Sequence, residues 1–112
     1  MITANILKDI IYNDNKVEIT VLMETEVTKE IRIVFKKGQL MKKHQTVFPI
    51  TVQMIKGNLD FGVNNTVLSL IEGDLIALEG NVPHNLTAKT NCIVRLTLSK
   101  EDTVNRVKKV IE

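Results

Sequence analysis

The sequence predicts an all-β fold, a jelly-roll type β-barrel, and three observations support that expectation. Apolar residues recur with a period of two in short runs, as they do in strands that bury one face. Glycine, asparagine and proline separate these runs at close intervals. The runs number eight or nine, and double-sheet packing is a common way for so many short strands to protect their edges.

The predicted strands follow one another along most of the chain. Residues 17–24 and 31–35 alternate apolar with polar side chains, so each is expected to bury one face. Further strands are expected over residues 40–45, 50–55, 59–63, 66–70, 75–78, 84–88 and 92–98. Asn64 and Asn65 predict a tight hairpin turn, because asparagine tolerates positive φ. Leu75 to Leu78 is apolar without alternation, which predicts a strand covered on both faces.

The periodicity changes after the last predicted strand. Ser99 and Asp102 have the spacing of a helix N-cap followed by an acidic first turn. Apolar residues then recur at helical spacing, namely Val104, Val107 and Ile111. We therefore expect a single domain over residues 1–112, with a barrel over about 17–98 and one short α-helix over about 100–111.

Composition argues against several classes of protein. Charged residues make up 25% and hydrophobic residues 44% of the chain, as in ordinary globular domains. A net charge of +2 and an aromatic content of 4% do not suit a nucleic-acid binder. Lys8 and Asp9 interrupt the apolar N-terminal residues, so no membrane span or signal peptide is expected there. The lone Cys92 indicates a core cysteine in a reducing compartment, and the expected localisation is cytoplasmic.

Two segments resemble the signature motifs of cupins. In the first, GQLMKKHQTVFPITVQMIKG, the matching positions are Gly38, His44 and Gly57. In the second, GDLIALEGNVPHNLTA, they are Gly73, Asp74, Pro83 and His84. The chain thus resembles the small single-domain, RmlC-like cupins. This resemblance implies a double-stranded β-helix, a barrel pocket lined by both histidines, and a homodimer.

The metal-binding motif of the family is incomplete here. Metal-binding cupins hold a divalent ion with two histidines and a glutamate of the first motif and a histidine of the second. In this chain Thr46 stands at the second histidine position and Ile50, or Thr51 in a longer spacing, at the glutamate position. Zn or Fe sites normally have at least three protein ligands. His44 and His84 therefore form half of a ligand set.

Several roles for this pocket stay open on the sequence alone. The residues expected to line it are His44, Thr46, Ile50, Met54 and His84. They either enclose a ligand cavity or belong to a barrel filled with its own side chains. A divalent ion (Zn, Ni or Fe) held by the two histidines is one hypothesis, and polar groups that bind each other, Thr46 or water are the other. Glu79 either reaches the pocket or is a solvated turn residue, and Lys42 either faces the mouth on the His44 side of its strand or is solvated.

Three functions follow from these alternatives. The preferred hypothesis is a cupin that binds a small molecule through His44 and His84 without redox chemistry. The second is an enzyme, either a metal-dependent oxygenase or isomerase or a metal-free acid/base catalyst. The third is an interaction module with a filled pocket, which would need an exposed apolar patch on residues 17–23 or on the C-terminal helix. Whether the chain is an enzyme is left undecided, and the expected partners are a small molecule and a second copy, without nucleic acid or membrane.

Overall fold

The computed structural model describes residues 1–100 of the chain. Within this range it has no helix, and its nine strands are β1 (Glu18–Glu24), β2 (Thr28–Phe35), β3 (Leu40–His44), β4 (Ile50–Lys56), β5 (Leu59–Val63), β6 (Thr66–Leu70), β7 (Leu75–Leu78), β8 (His84–Ala88) and β9 (Cys92–Ser99). Accordingly, none of the described residues forms a helix that could cross a membrane. The predicted C-terminal helix lies outside the described residues, apart from Lys100.

The strands form two antiparallel sheets, and the all-β prediction is confirmed. One sheet has five strands in the order β1-β2-β9-β4-β7, and the other has four in the order β3-β8-β5-β6. Each sheet combines a pair of consecutive strands with pairs from distant parts of the chain, such as β2–β9 and β3–β8. The antiparallel order, with crossovers between the sheets, is that of a jelly-roll sandwich.

The inner faces of the two sheets meet in one apolar core. Its buried members are Ile33, Phe35, Ile50, Val52, Met54, Leu59, Phe61, Leu70, Leu86, Ala88, Cys92 and Val94. Alternation along each strand supplies them, since successive side chains point to opposite faces. Cys92 is 0% exposed, which confirms the predicted core cysteine, and burial raises the pKa of its thiol.

The turns use the residues that the sequence marks. Asn64 and Asn65, between β5 and β6, have φ of 51° and 59°, which confirms the predicted tight turn. Gly38, Gly57 and Gly73 have φ of 88°, 89° and 89°. The three glycines that match the cupin motifs therefore occupy left-handed backbone positions, which glycine adopts without the steric penalty of a Cβ atom.

The predicted buried face of residues 17–24 is confirmed at Val17, which packs against the core, but it is wrong at Ile19 and Val21. Ile19 and Val21 are 56% and 52% exposed, although Ile33, the cross-strand partner of Ile19 on β2, is only 4% exposed. The reason is the unequal size of the sheets. β1 is an edge strand of the five-stranded sheet, and the four-stranded sheet does not cover its inner face.

The prediction that β7 is covered on both faces is also wrong. β7 lies at the other edge of the five-stranded sheet and pairs only with β4 among the described strands. Leu75 is 64% exposed, while Ile76 and Leu78 pack against the core. A continuous apolar run can therefore lie on an edge strand with a single buried face.

The N-terminal residues cross the outer face of the five-stranded sheet and bury Arg32. This side chain is 7% exposed, and its Nη1 donates hydrogen bonds to the carbonyl oxygens of Ile6 at 3.2 Å and Lys8 at 2.8 Å. Its Nε is buried without a hydrogen-bond partner. Arg32 thus fastens the N-terminal segment to β2 by charge-assisted bonds to backbone carbonyls.

We predict that Arg32→Ala releases the N-terminal segment. The variant loses both bonds to the carbonyls of Ile6 and Lys8, and we expect a loss of about 1–3 kcal/mol of unfolding free energy. Limited proteolysis should cut before Glu18 faster than in the parent. The control is Arg95→Ala, since Arg95 is the cross-strand partner of Arg32 but pairs with Glu30 at 2.8 Å. Equal cleavage of both variants would contradict the role given to Arg32.

Candidate functional site

The structure brings the two histidines together at one end of the sandwich. His44 ends β3, His84 begins β8, and the two are cross-strand partners in the four-stranded sheet. Their ring centroids are 4.4 Å apart with planes tilted by 60°. His84 alternates with the buried Leu86 along β8, so the pair faces the inside of the sandwich.

A bulge in β3 sets the position of His44. The register shifts between Met41, which pairs with Leu86, and His44, which pairs with His84. Three residues of β3 therefore span what two residues span on β8, and strict alternation along β3 is lost. Alternation therefore no longer relates the face of Lys42 to that of His44, and the exposure of Lys42 agrees with the solvated alternative.

Backbone hydrogen bonds orient both imidazole rings in the same way. Nδ1 of His44 lies 2.6 Å from the carbonyl oxygen of Lys42, and Nδ1 of His84 lies 2.9 Å from that of Val82. A carbonyl oxygen only accepts, so each Nδ1 carries the proton and donates it. In the neutral ring, Nε2 is then an acceptor with an available lone pair.

Neither Nε2 is used by the protein itself. Each histidine's hydrogen bonds within residues 1–100 are the Nδ1 contacts to a backbone carbonyl. Arg32 Nε is the one buried side-chain nitrogen or oxygen of the described residues that lacks a partner. The Nε2 atom of His84 is therefore still reached by solvent, although the residue as a whole is only 3% exposed.

The aromatic ring of Phe61 forms the floor under His84. The two rings are nearly parallel, with an interplanar angle of 6° and centroids 5.6 Å apart. Phe61 is 0% exposed and lies on β5, next to β8. Burial lowers the pKa of His84, and the nearby His44 acts in the same direction, while the Val82 carbonyl opposes them. His84 is therefore held in its neutral form.

The other predicted pocket residues do not line a cavity together with the two histidines. Ile50 and Met54 are 3% and 1% exposed and belong to the packed core. Thr46 follows β3 and donates its hydroxyl proton to the carbonyl oxygen of Phe48 at 2.9 Å. Glu79 is exposed beyond the end of β7. None of the four cavities identified around residues 1–100 is lined by His44 or His84.

Metal-ligating side chains near the histidines are scarce. Within residues 1–100 there is no group of three or more histidine, cysteine, aspartate or glutamate residues that could hold a metal ion. Two imidazoles alone fall short of the three protein ligands usual for zinc or iron. The described donor set therefore does not fit a conventional transition-metal site.

Sequence reasoning missed three features of the site. Phe61 was expected in a strand, but its contact with His84 depends on the β5–β8 register, in which Phe61 pairs with Leu86. The carbonyls of Lys42 and Val82 depend on the bulge and on the loop before β8. No sequence pattern marks the two carbonyls, whereas the alternation of Leu59, Phe61 and Val63 does place Phe61 on an inner face.

Solved structures similar to this chain show that it has the cupin fold. An RmlC-like cupin from Desulfovibrio desulfuricans is 22% identical with a TM-score of 0.81, over 88% of this chain and 96% of that one. An RmlC-like cupin from Shewanella frigidimarina is 20% identical with a TM-score of 0.72, over 82% and 86%. A conserved protein of unknown function from Streptococcus pyogenes is 16% identical with a TM-score of 0.76, over 88% and 86%. No family model and no curated protein matches the chain.

Proposed function

We propose that this cupin-fold chain binds a small molecule through Nε2 of His44 and Nε2 of His84. The observation that supports it is the pair of inward-facing imidazoles whose Nδ1 atoms are occupied by backbone carbonyls and whose Nε2 atoms have no partner among the described residues. Two acceptors on rings 4.4 Å apart suit one ligand with two hydrogen-bond donors. The hydroxyl groups of a polyol or the N–H groups of an amide have this chemistry.

The inner wall near the pair adds apolar contact. Met41 and Val63 are half-buried side chains packed against the core, and they neighbour the histidines along β3 and β5. A ligand with a small apolar body and a polar end would use both surfaces, as ligands of largely apolar pockets do. Holding His84 neutral supports the acceptor role, since a protonated ring would only donate.

The proposal is tested by ligand-observed NMR with the full chain against three neutral classes, namely polyols, primary amides and secondary amides. We expect at least one class to bind, and to bind at least about tenfold more weakly to His44→Ala and to His84→Ala, which is about 1.4 kcal/mol per lost hydrogen bond. Thr87→Ala, on the outer face of β8, is the control. The absence of histidine-dependent binding for all three classes would contradict the proposal.

Elemental analysis of untagged protein separates this proposal from the metal-dependent enzyme. With two imidazoles as the described donors, we expect metal well below one equivalent. Near-stoichiometric Zn, Ni or Fe that is lost in His44→Ala would instead support the enzyme hypothesis. The same measurement on His84→Ala shows whether both rings are needed.

The lowered pKa of His84 predicts how stability depends on pH. In the unfolded chain the ring takes up a proton around its ordinary pKa of 6.5, whereas the folded ring does so only at lower pH. The unfolded state then binds more protons, so stability rises with pH up to about 6.5 and is lost as pH falls below it. Chemical denaturation at about pH 5 and about pH 8 should show a smaller difference for His84→Gln than for the parent. If the stability difference between these two pH values were the same in His84→Gln and in the parent, the lowered pKa of His84 would be contradicted.

The exposed inner face of β1 supports a second, non-exclusive role in self-association. We propose that β1 pairs antiparallel with β1 of a second copy about a two-fold axis at Thr20. This register puts Ile19 of each copy opposite Val21 of the other, which covers the two side chains that the four-stranded sheet leaves exposed. It also brings Lys16 of one copy towards Glu24 of the other.

Sedimentation experiments test this self-association. The Ile19→Glu variant should be monomeric, whereas Leu75→Glu, at the opposite edge of the sheet, should remain dimeric. A monomeric parent protein would contradict the proposal.

A further inference from the structure

A concave site lies on the outer surface of the four-stranded sheet, opposite the face that carries the histidines. It has a volume of about 480 Å³ and is lined by Lys43, Gly62, Val63, Asn64, Asn65, Thr66, Val67, Pro83 and Asn85. Asn85 alternates with His84 on β8, and Gly62 alternates with Phe61 on β5, so both belong to the outer face. The volume is within the range of about 300–1,000 Å³ typical of small-molecule sites.

Gly62 makes room for a polar group in this cavity. A Cβ atom at Gly62 would lie 2.2 Å from Oδ1 of Asn85, so the amide of Asn85 lies directly across the glycine. Glycine within a strand is unfavourable unless another group approaches the backbone closely, as the amide does here. Asn85 is half-buried, and its side chain has no hydrogen-bond partner among the described residues. The amide of Asn85 is therefore open to solvent or to a ligand at the floor of the cavity.

Within the described part of the chain, the only charged side chain in the cavity wall is positive. Lys43 is its charged member, no carboxylate lines it, and Lys43 forms no ion pair within residues 1–100. The side-chain amides of Asn64 and Asn65 lie on the β5–β6 turn, where both residues have positive φ. A cavity on the outer face of the five-stranded sheet differs, because Glu30 and Arg95 line it together and neutralise each other at 2.8 Å.

We propose that this outer cavity binds a small organic anion. The ammonium group of Lys43 holds a carboxylate or phosphate group of the ligand. The side-chain amides of Asn64, Asn65 and Asn85 exchange hydrogen bonds with the rest of the ligand. The polar side chains of this site differ from those of the proposed histidine site and lie on the other face of the sheet, although Val63 borders both sites. It goes beyond that function because its ligand class is anionic rather than a neutral donor.

The test is ¹H–¹⁵N NMR of the full chain titrated with inorganic phosphate and with citrate, at constant ionic strength, and with glucose as the neutral comparison. We expect saturable shifts of the backbone amides of residues 62–67, 84 and 85 with at least one anion, and none with glucose. Lys43→Gln and Asn85→Ala should each weaken binding at least about tenfold, whereas Lys42→Gln, the neighbouring exposed lysine, should not.

Two further results would overturn the proposal. One is the absence of saturable shifts with both anions, and the other is anion binding that is unchanged in Lys43→Gln and Asn85→Ala. Gly62→Ala gives an independent check, because its added methyl group displaces the Asn85 amide from the floor of the cavity. This variant should keep a dispersed spectrum but lose the anion-dependent shifts. The histidine-dependent screen above uses neutral ligands and another surface, so either proposal can fail alone.

Discussion

Gly57→Ala is expected to destabilise the fold severely, by about 3 kcal/mol or more of unfolding free energy. Gly57 has φ of 89°, so alanine suffers the left-handed backbone penalty. A Cβ atom there would also lie 2.2 Å from the carbonyl oxygen of Asn91 and 2.9 Å from Oγ1 of Thr90. The β4–β5 turn packs directly on the β8–β9 turn, where Oγ1 of Thr90 accepts a hydrogen bond from the backbone N–H of Asn58 at 3.0 Å. The added methyl group forces these two turns apart.

Gly73→Ala is the matched control for this prediction. Gly73 has the same φ of 89°, but a Cβ atom there would meet nothing within 4 Å. Its substitution should therefore show the backbone penalty alone, about 1–2 kcal/mol. Urea denaturation of both variants measures the difference, which reports the clash with Asn91 and Thr90. Equal losses in the two variants would mean that the close packing of the turns contributes nothing.

Phe61→Ala is expected to lower the unfolding free energy by about 3–5 kcal/mol. Phe61 is 0% exposed, belongs to the core, and stacks on His84 at a centroid distance of 5.6 Å. Its removal leaves a cavity under the histidine pair and takes away an offset-stacked ring contact. The loss therefore combines core packing with the support of the candidate site.

Two comparisons separate these contributions. Phe48→Ala, at a half-buried loop position, should cost clearly less than Phe61→Ala in the same denaturation experiment. Phe61→Leu retains apolar volume but no aromatic ring, so we expect a milder loss of stability together with a changed chemical shift of the His84 ring protons. If those ring protons were insensitive to Phe61→Leu, the stacked arrangement would be wrong.

The sequence predicts the strands well because their signal is local. Alternation and turn residues place 66–70, 75–78 and 84–88 at their observed bounds as β6, β7 and β8. The exposed face of β1 and the edge position of β7 could not be predicted in this way. Which strand lies at an edge depends on how many strands each sheet has, five against four, and that is a property of the whole fold.

For the candidate site, too, the sequence predicts the local features but not those that depend on the whole fold. The cupin-like motifs give the positions of His44 and His84, and the register makes them cross-strand partners. The β3 bulge and the two Nδ1 hydrogen bonds follow from backbone geometry that the sequence does not mark. The packing of Ile50 and Met54 into the core also depends on how closely the two sheets approach each other. The sequence therefore gives the location of the pair but not the direction in which its lone pairs point.

The most direct test of this account is long-range ¹H–¹⁵N NMR of the two imidazole rings at neutral pH. The hydrogen bonds to the Lys42 and Val82 carbonyls predict that both rings carry their proton on Nδ1, with Nε2 unprotonated. The Nε2 signals should then shift when a ligand with hydroxyl or N–H donors binds. A resting protein in which either ring is protonated on Nε2 would lack the paired acceptors and would contradict the proposed site.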